Sequence, residues 1–162
     1  MNTQQETIER AKTDFARAKN QLLTALSSTP DDRINWSPSA TARTPLQQVA
    51  HAAWAIASLH EMLNGRTFQA SSTAEADKSF RAWEEQFTAR ESVLELLEAN
   101  SAAYEQFLEA LTPEALNATI ELPFGSGRAC LAEALTFAPN HTKWHTAQIG
   151  YIQTIYGDRI WR

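Results

Sequence analysis

Residues 140–158 read NHTKWHTAQIGYIQTIYGD, and the fold of the chain turns on whether this stretch is an inward-facing helix. Two imidazoles, His141 and His145, stand four residues apart in it, in a chain with only four histidines. Extending the register in both directions gives Leu131, Ala134, Ala138, His141, His145, Gln148, Ile152 and Ile155, at unbroken spacings of three and four. That period is the stripe a bundle helix turns towards its neighbours. The spacing predicts a helix from about Ala129 to Tyr156, stopped by Gly157. Pro139 falls inside it and removes one backbone hydrogen bond, so a kink is expected just before the first histidine.

The same period recurs upstream. Ile8, Ala11, Phe15, Ala18, Leu22 and Ala25 form one apolar stripe ended by Pro30. A second helix is expected to start with Thr44 as N-cap and Pro45 at the first helical position, and to run to Gly65. It is rich in alanine and apolar on more than one side, so it should lie between neighbours. Residues 66–79 are polar and read as a long connection, followed by a short amphipathic turn marked by Phe80, Trp83 and Phe87. TARE, residues 88–91, has the form of a capping box. Val93, Leu97, Ser101, Tyr104, Leu108 and Leu111 trace a third helix, closed by Thr112-Pro113. ATIELPFGSGR, residues 118–128, alternates and then turns through Pro123, Gly125 and Gly127, as a small hairpin or extended loop does. The expected architecture is therefore all-α: a four-helix bundle with long connections, for which simple up-down connectivity is not required.

Composition sets outer bounds. The chain has 162 residues, 43% of them hydrophobic and 20% charged, which suits one soluble globular domain over residues 1–162. Net charge is −5 and no basic run occurs, which argues against a nucleic-acid surface, because neutralising phosphates needs clustered Lys and Arg. The longest apolar run, residues 52–59, is too short to span a bilayer. The polar start MNTQQETIER gives no secretory signal, and the lone Cys130 fits a reducing cytoplasm. Cys130 is expected to be a small buried packing residue.

Residues four apart on a helix differ by only about 40° around its axis, so His141 and His145 can aim ring nitrogens at one point. Burying imidazoles without partners costs about 1–3 kcal/mol each. A divalent ion satisfies both, and imidazole suits zinc, nickel, copper or iron, with zinc or nickel the expected ions here. Thr142 stands where zinc proteases carry Glu, so that route to peptide hydrolysis lacks its base. A third ligand is needed, and His51 and His60 are the remaining candidates. They are nine residues apart, so both cannot face one ion. Leu46, Val49, Ala53, Ile56, His60 and Leu63 make the cleaner inward stripe, and spacing does not choose between the two histidines.

Two segments resemble the DinB-like family. INWSPSATARTPLQQVAHAAW, residues 34–54, is similar to that family's Trp, Pro and capped helix with a histidine about one and a half turns in. HTKWHTAQIGYIQTIYGD, residues 141–158, is similar to its His-x-x-x-His followed by Gln, and ELPFGSG, residues 121–127, resembles the loop before its last helix. The resemblance implies a four-helix bundle with crossing connectivity and a divalent metal held by His51, His141 and His145. It leaves His60 to pack its ring or reach water. Three protein ligands leave a coordination position open, as catalytic sites do. It further implies a metal-dependent enzyme acting on a small molecule: thiol-dependent transfer or isomerisation with a low-molecular-weight thiol first, hydrolysis second.

Other residues are read more loosely. Gln148 either supports the metal site or is a packing amide. Trp54 and Trp144 either wall a pocket or are simple core. Arg128 and Lys143 either attract an anionic substrate or, as the preferred reading, are solvated charges. Phe80, Trp83 and Trp161 on outer faces hint at a homodimer. The rival to an enzyme is a non-catalytic, stress-related bundle in which the metal, or a hydrogen-bonded histidine cluster, is structural.

Overall fold

The computed structural model describes residues 3–66, 70 and 72–160. Helix α1 spans Thr3–Ser27, α2 Pro45–Leu63, α3 Thr73–Glu84 and α4 Arg90–Ala110. A 3-10 turn at Pro113–Asn117 leads into a hairpin of β1 (Thr119–Glu121) and β2 (Arg128–Cys130), then a single turn α5 (Leu131–Ala134) and the last helix α6 (Phe137–Ile155). The long helices α1, α2, α4 and α6 form the four-helix bundle. Around it α6 packs between α1 and α2, and α4 closes the ring against α2 and α1. Helices α1 and α2, consecutive in the chain, thus sit on a diagonal, and the connections cross.

Local chemistry sets the ends of these elements. Thr44 Oγ1 accepts from the Gln47 backbone N–H at 3.2 Å, while Gln47 Oε1 accepts from the Thr44 N–H at 2.9 Å. This reciprocal cap, with Pro45 behind it, fixes where α2 begins. Gly65 and Gly157 take φ of 81° and 100°, the left-handed turn that releases the chain after α2 and α6. The six-residue stripe expected for α1 is buried throughout, as are Val93, Leu97, Ser101, Tyr104 and Leu108 on α4.

Several expectations are corrected. The polar stretch 66–79 is not all connection: Ser72 caps α3, its Oγ accepting from the Glu75 N–H at 3.2 Å, and the helix continues to Glu84. The box at residues 88–91 does not form; α4 starts after Ala89 with no side-chain cap. The last helix is not continuous from Ala129. The chain is still in β2 there, and Leu135 and Thr136 separate α5 from α6. Pro139 consequently falls in the first turn of α6, where a missing N–H costs little. Cys130 is exposed at the end of β2 rather than buried. The hairpin is real, with Ile120 opposite Ala129.

The inward stripe of α6 also rotates out of the expected register. Ala138, Thr142, His145, Ile149, Ile152 and Gln153 are buried, while Gln148 and Ile155 are exposed. Phe80 and Trp83 do not lie on an outer face. Both are half-buried, Phe80 with its ring centroid 4.0 Å from Trp54 and Trp83 4.7 Å from Phe87. Trp161, the third residue of that expected patch, lies outside the described residues.

The end of α1 is held by polar groups from two other helices. Arg90 donates to the carbonyls of Leu26 at 2.5 Å and Thr29 at 2.8 Å, and pairs with Asp31 at 2.9 Å. Buried Gln153 donates to Ala25 O at 2.9 Å and Thr29 Oγ1 at 3.0 Å. Arg90→Met removes the guanidinium and leaves the Thr29 carbonyl without that donor. It is expected to cost about 1–3 kcal/mol, read as a lower urea midpoint with an unchanged slope.

Candidate metal centre

The centre is built where α2 meets α6. The cap at Thr44 sets the register that points His51 across to α6, and the four-residue spacing stacks His141 above His145. Ring centroids lie 5.3 Å apart for His51 and His141, 4.9 Å for His51 and His145, and 4.5 Å for His141 and His145. One ring nitrogen from each lies within 4.8 Å of the other two. His60 is elsewhere, its ring 5.1 Å from Phe107 and 6.1 Å from Tyr104, where burial pushes its pKa down.

The outer nitrogens are held by groups that the spacing of histidines did not reveal. His51 Nδ1 lies 2.7 Å from Glu84 Oε1, and the Arg43 Nε–H donates to Glu84 Oε2 at 2.6 Å. The Glu84 side chain is 1% exposed. His145 Nδ1 lies 2.5 Å from Oε1 of buried Gln48. A carboxylate and an amide oxygen accept only, so both histidines carry their proton on Nδ1 and keep a lone pair on Nε2. Gln48 was legible in principle, since it lies three residues before His51 on the same helix face. Glu84 was not, because it rides on a helix that the polar connection concealed.

These contacts test the fit of a cation. His141 Nε2 and His145 Nε2 are 3.4 Å apart. That is the separation of two ligands each about 2.0–2.1 Å from one tetrahedral zinc. With Nε2 of His51 and His145 both acceptors, the single proton His141 can offer on Nε2 does not satisfy both, whereas one divalent cation can take a lone pair from each of the three rings. His141 Nδ1 is buried with no hydrogen-bond partner among the described residues. The residues present fit such an ion.

Electrostatics favour the ligating form. Burial pushes His145 down to about 2, helped by His141, His51 and Arg43. Burial pushes His141 down to about 4, helped by His51 and Arg43. Burial alone works to raise Glu84, but hydrogen bonds from His51 and Arg43, with the Arg43 charge, hold its pKa below the usual carboxylate range. Gln148 is exposed, and its hydrogen bond to His145 is the one interaction working to raise that ring's pKa. Trp54 is half-buried beside His51, at 6.2 Å between centroids, with Phe80 on it. Trp144 is not core: it is 68% exposed, with its ring 6.1 Å from that of His141.

A pH dependence follows from the depressed values. Free imidazole titrates near 6.5, so between that pH and about 4 the unfolded chain binds protons that His141 and His145 refuse in the fold. Stability is complete above pH 6.5 and falls as pH drops through this window. The slope is at most about 1.4 kcal/mol per pH unit for each proton. Urea midpoints of the metal-free chain should fall from pH 7 to pH 4.5, and fall less when both histidines are replaced by Gln.

Comparison with known proteins bears on the fold that carries this centre. The fold is similar to YfiT from Bacillus subtilis, described as "a probable metal-dependent hydrolase with an unusual four-helix bundle topology", at TM-score 0.72 and 17% identity over 93% of this chain and 87% of that one. It is also similar to a mycothiol-dependent maleylpyruvate isomerase, at TM-score 0.70 and 16% identity over 88% of this chain and 60% of that one. A third likeness is to the colibactin self-resistance protein ClbS, described in complex with a dsDNA, at TM-score 0.67 and 15% identity over 91% of this chain and 95% of that one. At such identities the likeness carries the fold alone. Among curated protein sequences none matches significantly. A family model described as the DinB superfamily covers residues 14–149, well over half of the chain. The chain belongs to the DinB superfamily.

Proposed function

We propose that His51, His141 and His145 bind one divalent transition-metal ion, zinc or nickel, and that the chain is a metal-dependent enzyme acting on a small molecule. The observation that carries the proposal is the convergence of one nitrogen from each ring within 4.8 Å, with the outer nitrogens of His51 and His145 held by Glu84 and Gln48. Such an ion, with three protein ligands and a free position, lowers the pKa of a small nucleophile it holds. Thiol transfer or isomerisation is the first reaction class and hydrolysis the second. The likeness to a mycothiol-dependent maleylpyruvate isomerase and to a protein described as "a probable metal-dependent hydrolase" supports both.

The protein's own groups have defined parts in this reading. His51 and His145 present Nε2 because their Nδ1 protons are engaged. Glu84 is committed to His51 and Arg43, so it orients a ligand rather than acting as a free base. Trp54 and Phe80 wall one side of the centre, and exposed Trp144 stands on another, where the apolar part of a small substrate can rest. A net charge of −5 favours a small-molecule substrate over nucleic acid.

Elemental analysis of chain purified without a histidine tag is expected to find about one transition-metal ion per chain. His145→Ala should lose it while far-UV circular dichroism stays helical. A chain that takes up no ion at neutral pH, even when zinc and nickel are supplied, sinks the proposal. Glu84→Gln keeps the shape of the side chain and removes its charge. It should weaken metal affinity by about 10–100-fold, measured by competition with a chromogenic chelator; an unchanged affinity would remove Glu84 from the site.

A further inference from the structure

On the side of α6 away from α2, a groove of about 1040 Å3 runs between α1 and α6. Its lining includes Ala25 from α1 and Ala147 and Gly150 from α6, among threonine, asparagine and glutamine side chains, together with Arg17, Lys143 and Arg159. Most cations of this acidic chain are neutralised in place: Lys12, Lys19, Arg33, Arg43, Arg66, Arg81, Arg90 and Arg128 each have a carboxylate partner. Arg17, Lys143 and Arg159 have none among the described residues, and all three gather on this groove. Asp158 is the one carboxylate among the described residues that lines it.

Gly150 is the second, independent observation. Glycine in the middle of a helix is less stable than alanine. Here it has an ordinary helical φ, and a Cβ added to it would meet nothing within 4 Å. Neither backbone conformation nor helix packing requires glycine at this position. What the missing side chain does is keep the groove open at this point.

We propose that the α1–α6 groove binds a small organic oligoanion: an apolar body carrying two or three carboxylate, phosphate or sulfonate groups. The small apolar residues Ala25, Ala147 and Gly150 take the body and the three cations take the anionic groups. Three cations are too few, and the chain too acidic, for a nucleic-acid backbone. Helix α6 separates the groove from the histidine centre, because Lys143 lies two residues from His141 and His145 and so projects from the other side of the helix. The groove is therefore a site of its own.

The test uses the full, metal-loaded chain and pyranine, a pyrene bearing three sulfonates, followed by fluorescence anisotropy at low salt. Saturable binding of one probe per chain is expected. Arg17→Gln and Lys143→Gln should each weaken it at least about fivefold, and Gly150→Leu should abolish it. Arg10→Gln and Lys78→Gln, which remove unpaired cations elsewhere, should leave affinity within about twofold. No saturable binding, equal losses from the two distant substitutions, or full binding by Gly150→Leu each overturns the proposal. Where Gly150→Leu does not fold by circular dichroism, the double variant Arg17→Gln/Lys143→Gln decides alone. Stripping the metal with a chelator should leave probe affinity unchanged, and a loss on stripping overturns the separateness of the groove. Binding that survives in a chain found to hold no metal would sink the metal proposal and keep this one.

Discussion

Three imidazoles buried at one helix–helix contact are a constraint that the rest of the structure must meet. Each has two nitrogens, and where the inner ones crowd together the outer ones of His51 and His145 find partners that fix the proton, while His141 Nδ1 is buried without one among the described residues. For His145 the partner is Gln48, on the facing helix and in the same wall as His51, so one element supplies both a ligand and a support. For His51 the partner is Glu84, brought from outside the bundle by α3. A buried carboxylate without compensation would cost several kcal/mol. Arg43, one residue before the α2 cap, supplies the compensating charge at 2.6 Å and also reaches Asp77 on α3 at 3.1 Å.

This arrangement explains why α3 exists. It buries only Ala76 and Glu84 fully, too little apolar surface to hold a twelve-residue helix by packing alone. What fastens it is the Arg43–Glu84–His51 chain at its C-terminal end, the Arg43–Asp77 and Arg81–Thr41 contacts along its length, and Phe80 against Trp54. The site and the helix beside it therefore depend on each other: α3 orients a ligand, and the ligand's carboxylate anchors α3.

The bundle was legible because burying an apolar stripe leaves a period in the letters. The six expected positions on α1 and the capped start of α2 follow from periodicity and cap chemistry alone. The last helix shows where that reading stops. Histidine, glutamine and threonine are all compatible with either face, so the stripe through Gln148 and Ile155 looked as regular as the one through Thr142, Ile149 and Gln153 that is actually buried. Thr142 can be buried because its hydroxyl donates to the Ala138 carbonyl at 2.9 Å, and Gln153 because it caps α1. Such satisfaction is a tertiary fact with no local signature. The choice of His51 over His60 is of the same kind. Spacing did not choose between them, and what decides is the diagonal placement of α1 and α2, which turns the N-terminal half of α2, not its end, towards α6. Arg43 and Glu84 are 41 residues apart, and nothing in either neighbourhood announces the other.

Helix α6 carries two kinds of chemistry on opposite sides, and its sequence shows the compromise. A helix serving only the bundle would put alanine or leucine where His141, His145 and Gly150 stand, gaining packing on one side and helix propensity on the other. Histidine on the α2 side accepts a desolvation cost severe enough to hold His145 near a pKa of about 2, and glycine on the α1 side gives up helix stability without relieving any contact. Neither departure is explained by folding. Each leaves something open instead: nitrogen lone pairs on the α2 side, and space beside uncompensated positive charge on the α1 side. The stability to carry both comes from neighbours, through the Gln153 and Arg90 contacts that tie α6 and α4 to the end of α1, and through a core that buries Phe15, Leu22 and Ile149 completely.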